Sequence, residues 1–125
     1  MPALTESNTL GDLLKYEAPN LYSRDRVTVA AGQTLELGAV VGAVTATSKV
    51  KRFDPSATDG SQVPAGVLLA DCDASLADRN DGLIVARHAI VADRALVWPA
   101  GITGAEKTAA IATLQSLGVL ARQSV

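Results

Sequence analysis

The residues that could take part in catalysis are few and widely spaced. His88 is the only histidine of the chain, and Cys72 is the only cysteine. His88 lies in a stretch that alternates like a β-strand, and no Gly-x-Ser-x-Gly motif supplies an activated serine, so a catalytic triad is not expected. Cys72 has no neighbouring histidine or basic cluster to stabilise a thiolate, and we predict a small, partly buried apolar residue. The sequence therefore indicates that the protein is not an enzyme.

An acidic stretch that begins at Asp71 has part of the spacing of a calcium site. Asp71, Asp73 and Ser75 alternate as in an EF-hand loop. The sixth position is Leu76 where glycine is needed, and the twelfth is Gly82 where a glutamate is needed. We therefore expect a solvated turn in which the aspartates accept hydrogen bonds from their own backbone. No metal ion or other cofactor is predicted.

The one basic cluster consists of Lys49, Lys51 and Arg52. These cations could hold a phosphate weakly, but no glycine-rich loop opens a helix beside them, so a solvated strand face is expected. Lys49 also follows glycine-separated strands that loosely resemble the domains that carry lipoyl or biotinyl groups on a hairpin lysine. Its neighbours, Ser48 and Val50, differ from those of such carriers. A carrier domain therefore stays open as an alternative only.

The composition favours one small domain with a single apolar core. The chain has 125 residues, is 48% hydrophobic and has a net charge of −2. It lacks the concentrated Lys and Arg that attract nucleic acid or an anionic membrane. No apolar run approaches the ~20 residues that cross a bilayer, and the first residues lack the features of a secretory signal. We expect a protein made in the cytoplasm, with neither nucleic acid nor a membrane as a partner.

Short strands separated by glycine are predicted for most of the chain. The alternation of apolar and polar residues begins at residue 23, and glycines follow at each change of direction. Further candidate strands cover residues 34–37, 40–44, 49–53, 67–69, 83–91 and 96–98. This spacing is typical of a compact barrel or sandwich.

One α-helix is predicted near the end of the chain. Thr103 and Glu106 have the spacing of a capping box, and Gly118 is placed to end the helix. The apolar stripe between them consists of Ala110, Ile111, Leu114 and Leu117. The predicted fold is therefore mainly β with one C-terminal α-helix.

The beginning of the chain has a different character. It mixes polar residues with scattered apolar ones and ends at the structure-breaking residues 18–20. Its large apolar side chains include those of Leu10, Leu13, Leu14 and Tyr16. We interpret residues 1–21 as a flexible N-terminal arm and residues 22–125 as a single β-rich domain.

Four segments, taken in order, resemble the bacteriophage head decoration proteins of the lambda protein D family. They are YSRDRVTVAAGQTLELG (residues 22–38), FDPSATDGSQ (residues 53–62), AGVLL (residues 65–69) and WPAG (residues 98–101). A helix rich in alanine and leucine follows the last segment, as in the family. The resemblance rests on the order of these segments and covers about residues 22–119.

The resemblance implies a β-clip-like fold, a homotrimer and attachment to the expanded icosahedral head of a tailed phage. The partner would be the major capsid protein, the location the outer surface of the virion, and the role a structural one. In that family the N-terminal arm pairs with a capsid strand, so Leu10, Leu13, Leu14 and Tyr16 are expected to contact the capsid.

The aromatic residues are few, which makes Trp98 informative. A lone Trp beside a chain-stiffening Pro suits a symmetric contact, and we predict Trp98 and Pro99 at the trimer interface. A position for Trp98 in the core is the alternative. A general β-rich binding module stays open as a second function.

Overall fold

The structure is mainly β, as the sequence predicts. A computed structural model describes residues 9–123. Within these residues the strands are β1 (Leu14–Glu17), β2 (Arg24–Val29), β3 (Gln33–Leu35), β4 (Val40–Ala43), β5 (Val50–Arg52), β6 (Pro64–Leu68), β7 (Cys72–Ala74), β8 (Arg79–Val85), β9 (Ala89–Ala92) and β10 (Val119–Arg122). The helices are α1 (Leu10–Leu13) and α2 (Gly104–Ser116), and two short 3₁₀ turns cover Pro19–Leu21 and Asp93–Ala95.

Five strands close into a barrel in the order β2-β5-β4-β6-β8. Its neighbours are antiparallel except β2 and β5, which meet in one parallel pairing. So few strands leave a narrow interior that side chains can fill. That interior holds Val29, Val41, Val50, Leu68 and Ile84. Each barrel strand has a neighbour on both sides, and β2 and β5 meet at the single pair Val29↔Val50.

A second layer packs against the barrel. It is a three-stranded sheet in the order β1-β9-β10, antiparallel between β1 and β9 and parallel between β9 and β10. Ala110 and Leu114 of α2 are buried with Val91 and Val119 of this sheet. The same cluster includes barrel residues such as Val67. Sheet, helix and barrel therefore share one apolar core.

The ends of α2 confirm the local prediction. The Thr103 hydroxyl accepts a hydrogen bond from the Glu106 N–H at 3.1 Å, and the Glu106 carboxylate accepts one from the Thr103 N–H at 3.0 Å. Gly118, at φ +90, follows the last turn in a conformation that favours glycine. The predicted stripe is buried at Ala110 and Leu114, half-buried at Ile111 and exposed at Leu117.

Two strand predictions are wrong in detail. Residues 96–98 do not form the last strand: they contribute a single bridge, Ala39↔Val97, and β10 is the last strand of the described chain. The predicted strand over residues 83–91 is two strands, because His88 turns the chain with φ +49. Apolar residues continue on both sides of this turn, so their pattern does not show the break.

The structure describes the predicted arm from Thr9 onward, and the flexibility of the arm stays a prediction. From Thr9 onward it is folded on the domain: α1 leads into β1, and β1 pairs with β9. Leu13 is completely buried in the shared core. A helix this short has no stability of its own, so tertiary packing holds the segment, and the local pattern does not reveal it. Residues 1–8 of the predicted arm lie outside the described residues.

Candidate functional site

His88 belongs to a surface cluster with Tyr22 and Arg87. The ring centroids of Tyr22 and His88 are 5.2 Å apart, and the Arg87 guanidinium lies 5.5 Å from the centroid of the Tyr22 ring. Arg87 also donates hydrogen bonds to the Tyr22 carbonyl at 2.8 Å and to Asp25 at 2.6 Å. The imidazole therefore packs against an aromatic ring, an arrangement that suits structure or contact rather than proton transfer.

Cys72 is buried and has no disulfide partner. Burial is the main cause that raises the pKa of its thiol, so the reactive thiolate is disfavoured. Its side chain packs in the barrel core with Leu35 and Ala74. The prediction of a small buried apolar residue is confirmed.

The aspartates of the acidic stretch that begins at Asp71 accept hydrogen bonds from main-chain N–H groups of loops. The Asp73 carboxylate accepts a hydrogen bond from the Ser75 N–H at 3.0 Å, as predicted for a self-capped turn. The Asp71 carboxylate accepts one from the Leu37 N–H at 2.7 Å, which ties the stretch to the end of β3. In the part of the chain that the structure describes, no group of three or more His, Cys, Asp or Glu side chains could hold a metal ion.

The basic cluster is divided among separate ion pairs. Each cation has its own carboxylate: the pairs are Lys49–Asp78, Lys51–Asp59 and Arg52–Glu36. The three positive charges are thus already compensated, which does not favour a phosphate site. Lys49 is held by its partner Asp78, an arrangement that does not suit a carrier lysine.

The hydrogen bonds of the Asp59 carboxylate predict that part of the stability depends on pH in acid. Its pKa is held well below the usual range, first by the Ser61 hydroxyl, then by the Ser61 N–H and Lys51. A pKa lowered by folding stabilises the protein above the unfolded-state pKa of ~3.9, and this contribution is lost as the pH falls below that value. We expect the urea midpoint to fall more steeply from about pH 4 to pH 2 in the native chain than in Asp59→Asn, which has no carboxylate to protonate. Equal slopes would contradict this account.

Several large apolar side chains face solvent instead of the core. They are Tyr16, Leu21, Tyr22, Val63, Leu76 and Leu117. Leu76 is 97% exposed in the loop between β7 and β8. Val63 and Leu117 line a shallow groove of about 490 Å³ together with Pro64 and Ala86. Exposed apolar groups gathered in this way are typical of surfaces that contact other proteins.

The outer face of the three-stranded sheet carries an apolar row. Tyr16 of β1 lies opposite Ile90 of β9, and Leu120 of β10 lies opposite the same residue on the other side. A shallow cavity of about 280 Å³ follows this row and is also lined by His88 and Gly118. Cross-strand neighbours form one continuous patch because their side chains leave the sheet on the same face.

The predicted capsid-contacting residues do not share one environment. Leu13 is completely buried, Leu10 and Leu14 are half-buried against the same core, and Tyr16 is 54% exposed. Only Tyr16 thus offers most of its side chain to a partner in this conformation. The role of these residues in capsid contact stays a prediction.

The predicted trimer-interface residues lie together at the edge of the core. Trp98 is half-buried and packs against the shared core, with its ring edge-on to Phe53 at a centroid distance of 6.3 Å. Pro99 is also half-buried and follows directly. Trp98 thus contributes to the core and keeps part of its surface free, and its place at a trimer interface stays a prediction.

Sequence reasoning missed most of the exposed apolar surface. Leu76 could have been noticed, because a leucine inside an acidic turn is unusual for a segment that faces water. The row on the outer sheet face could not have been found, because it needs the register between strands that are distant in sequence. The contacts of Tyr22 with Arg87 and His88 could not have been found either, because these residues are distant from it in sequence.

The structure is that of a small β-barrel protein. Its described surface carries exposed apolar patches, and many of its charged side chains are held in ion pairs. A family model, bacteriophage lambda head decoration protein D, matches residues 3–119. The chain therefore belongs to the lambda head decoration protein D family, a structural family of the phage capsid. No curated protein matched the chain. Within residues 9–123 no helix is long and apolar enough to cross a membrane.

Proposed function

We propose that the protein binds the expanded icosahedral head of a tailed phage as a homotrimer and stabilises it against the pressure of packaged DNA. The observation that carries this proposal is the family match over residues 3–119. The partner is the major capsid protein, the site is the outer surface of the virion, and the chain is made in the cytoplasm of the host. The closed barrel supports a mechanical role, since each of its strands has a neighbouring strand on both sides.

Trivalency makes weak contacts sufficient. When one copy of a trimer is bound, the second and third contacts become intramolecular, and avidity exceeds the affinity of one contact by ~10²–10⁴. Trp98 and Pro99 are the residues that we assign to the trimer interface, because they lie side by side and are only half-buried. Tyr16 is the residue of the predicted capsid contact that has most of its surface free.

Binding to the expanded head alone would be enough to stabilise the head. A protein that binds only the expanded lattice adds its binding free energy to that state and opposes both contraction and rupture. No bond has to be made or broken for this effect. The free energy comes entirely from the contacts between the trimer and neighbouring capsid subunits.

Decoration of heads is the experiment that tests the proposal. We expect purified protein to co-sediment with expanded heads of the phage that encodes it and to leave unexpanded heads bare. Decorated heads should retain their DNA at temperatures or chelator concentrations that empty undecorated heads. Equal binding to both kinds of head, or no binding to either, would contradict the proposal.

Two controls make the result specific. Light scattering of the free protein should give three times the 12.8 kDa of one chain. Single, separated copies in electron micrographs of saturated heads would remove the trimer from the proposal. A variant that lacks residues 1–8 tests part of the predicted arm and keeps Leu13 in place. A deletion up to residue 21 would remove a core side chain and would confound binding with folding.

A further inference from the structure

We propose that residues 9–17 stay folded on the domain when the protein is attached to a head, so that this segment is a fixed strand and not a detachable arm. The inference rests on the proposed function, because it concerns the attached state. It assigns the boundary between the folded body and any free arm to Thr9. One contact within the segment and three contacts with the rest of the domain carry it.

The first contact closes the beginning of the segment. The Thr9 hydroxyl accepts a hydrogen bond from the Asp12 N–H at 3.2 Å, and the Asp12 carboxylate accepts one from the Thr9 N–H at 2.8 Å. This reciprocal capping box satisfies main-chain donors that a free arm would leave to water. The Thr9 N–H first, and then the Thr9 side chain, hold the pKa of the Asp12 carboxyl below its usual range.

The second contact is the burial of Leu13. Its side chain is completely inaccessible and lies in the core cluster with Val91, Leu114 and Val119. These residues come from β9, α2 and β10, so Leu13 joins three elements. Release of the segment would expose this leucine and leave a cavity among all three.

The third and fourth contacts fasten the end of β1. Glu17 receives two hydrogen bonds from the Arg24 guanidinium, at 2.8 and 2.7 Å, a bidentate pair that is mostly shielded from solvent. The buried Ser23 hydroxyl accepts a hydrogen bond from the Ala18 N–H and donates one to the His88 carbonyl, both at 2.9 Å. The segment is thus tied to β2 and to the turn before β9.

The free edge of β1 is also unsuited to pairing. The pairing with β9 shifts register between Leu14 and Tyr16, which leaves Lys15 at an irregular position. Bulges and lysines on edge strands are devices that prevent another strand from adding to the sheet. A segment that is tied at both ends and irregular at its edge contributes to contact through an exposed side chain, Tyr16, instead of through its main chain.

A disulfide across β1 and β9 tests the inference. Glu17 and Ala89 are direct partners in the antiparallel pairing, so Glu17→Cys with Ala89→Cys places two thiols face to face and leaves Tyr16 in place. Cys72→Ala removes the native thiol, and the reduced form of the same variant controls for the substitutions. We expect the disulfide to form readily and the oxidised protein to decorate expanded heads with an affinity within about tenfold of the reduced protein. Loss of decoration on oxidation, or failure of the disulfide to form, would overturn the inference.

Amide hydrogen exchange on the free protein tests, independently of heads, whether residues 9–17 are folded before attachment, which the inference requires. We expect the amides of β1 that pair with β9 to be protected like those of β9 itself. Exchange at the rate of an unstructured peptide would overturn the inference. If neither redox form nor the parent protein binds heads, the proposed function fails, and the exchange result still decides whether the segment is folded in the free protein.

Discussion

Replacement of Leu13 by alanine is expected to lower the free energy of unfolding by about 2–5 kcal/mol, the range for large-to-small changes in a packed core. Leu13 is completely buried and contacts a cluster built from the barrel, the three-stranded sheet and α2. Little room for collapse exists among these rigid elements, so the cavity should persist. Urea unfolding at fixed protein concentration measures the loss, because oligomerisation would otherwise contribute to apparent stability.

Leu76→Ala is the matched control. It removes the same atoms from a side chain that is 97% exposed, and the change should stay within about 0.5 kcal/mol. A loss for Leu13→Ala no larger than that of the control would show that α1 does not dock in solution. It would also support the prediction that residues 1–21 form a flexible arm.

Gly38→Ala is expected to cost about 2–5 kcal/mol, since it combines a strained backbone with a steric overlap. Gly38 has φ +94, a conformation that a residue with a Cβ rarely adopts. The added Cβ would also overlap the main-chain carbonyl oxygen of Ala95, which cannot rotate away. The Gly38 carbonyl accepts a hydrogen bond from the Val97 N–H at 2.8 Å, so the residues that place Trp98 should shift as well.

Gly32→Ala separates the two causes. Gly32 has φ +91, nearly the same backbone, but its added Cβ would meet no described atom within 4 Å. Only the backbone cost of about 1–2 kcal/mol should remain. Thermal and urea unfolding of both variants measure the difference, and equal losses would contradict the overlap with Ala95. Because Gly38 lies next to the Trp98 segment, the variant should also weaken the proposed trimer, which light scattering measures.

The parts of the fold that sequence predicts are those with local signals. The capping box at Thr103 and the glycine at 118 are complete within one helix, and both are confirmed. The strand alternation around Val27 and Val29 is equally local and corresponds to β2. Local signals predict elements because the relevant contacts lie within a few residues of one another.

The parts that sequence does not predict depend on distant pairing. β7 is only three residues long and exists because it pairs with β3. β10 forms on β9, and β1 forms on the other side of the same strand. The turn at His88 interrupts an unbroken apolar pattern. Strand order and register follow from closure of the whole barrel, which no single segment encodes.

For the candidate surfaces, too, residue type is visible in the sequence, but tertiary placement is not. The family resemblance implies Tyr16 as a contact residue; its side chain is 54% exposed, and the contact itself stays a prediction. Leu13 was grouped with it because the sequence shows no difference between a leucine that contacts a partner and one that fills a core. The difference lies in the tertiary placement of α1 against β9 and α2, which spacing alone does not report.

The position of β9 between β1 and β10 has a consequence for biosynthesis. All five barrel strands lie within residues 24–85, so they are all synthesised before β9 and β10. The three-stranded sheet instead joins segments 14–17, 89–92 and 119–122, and it is complete only after residue 122 has emerged. Contacts so distant in sequence form slowly. During synthesis there is therefore a stage at which all barrel strands have been made but β1 has no β9 to pair with. Chaperones or proteases would act on the unpaired segment at that stage.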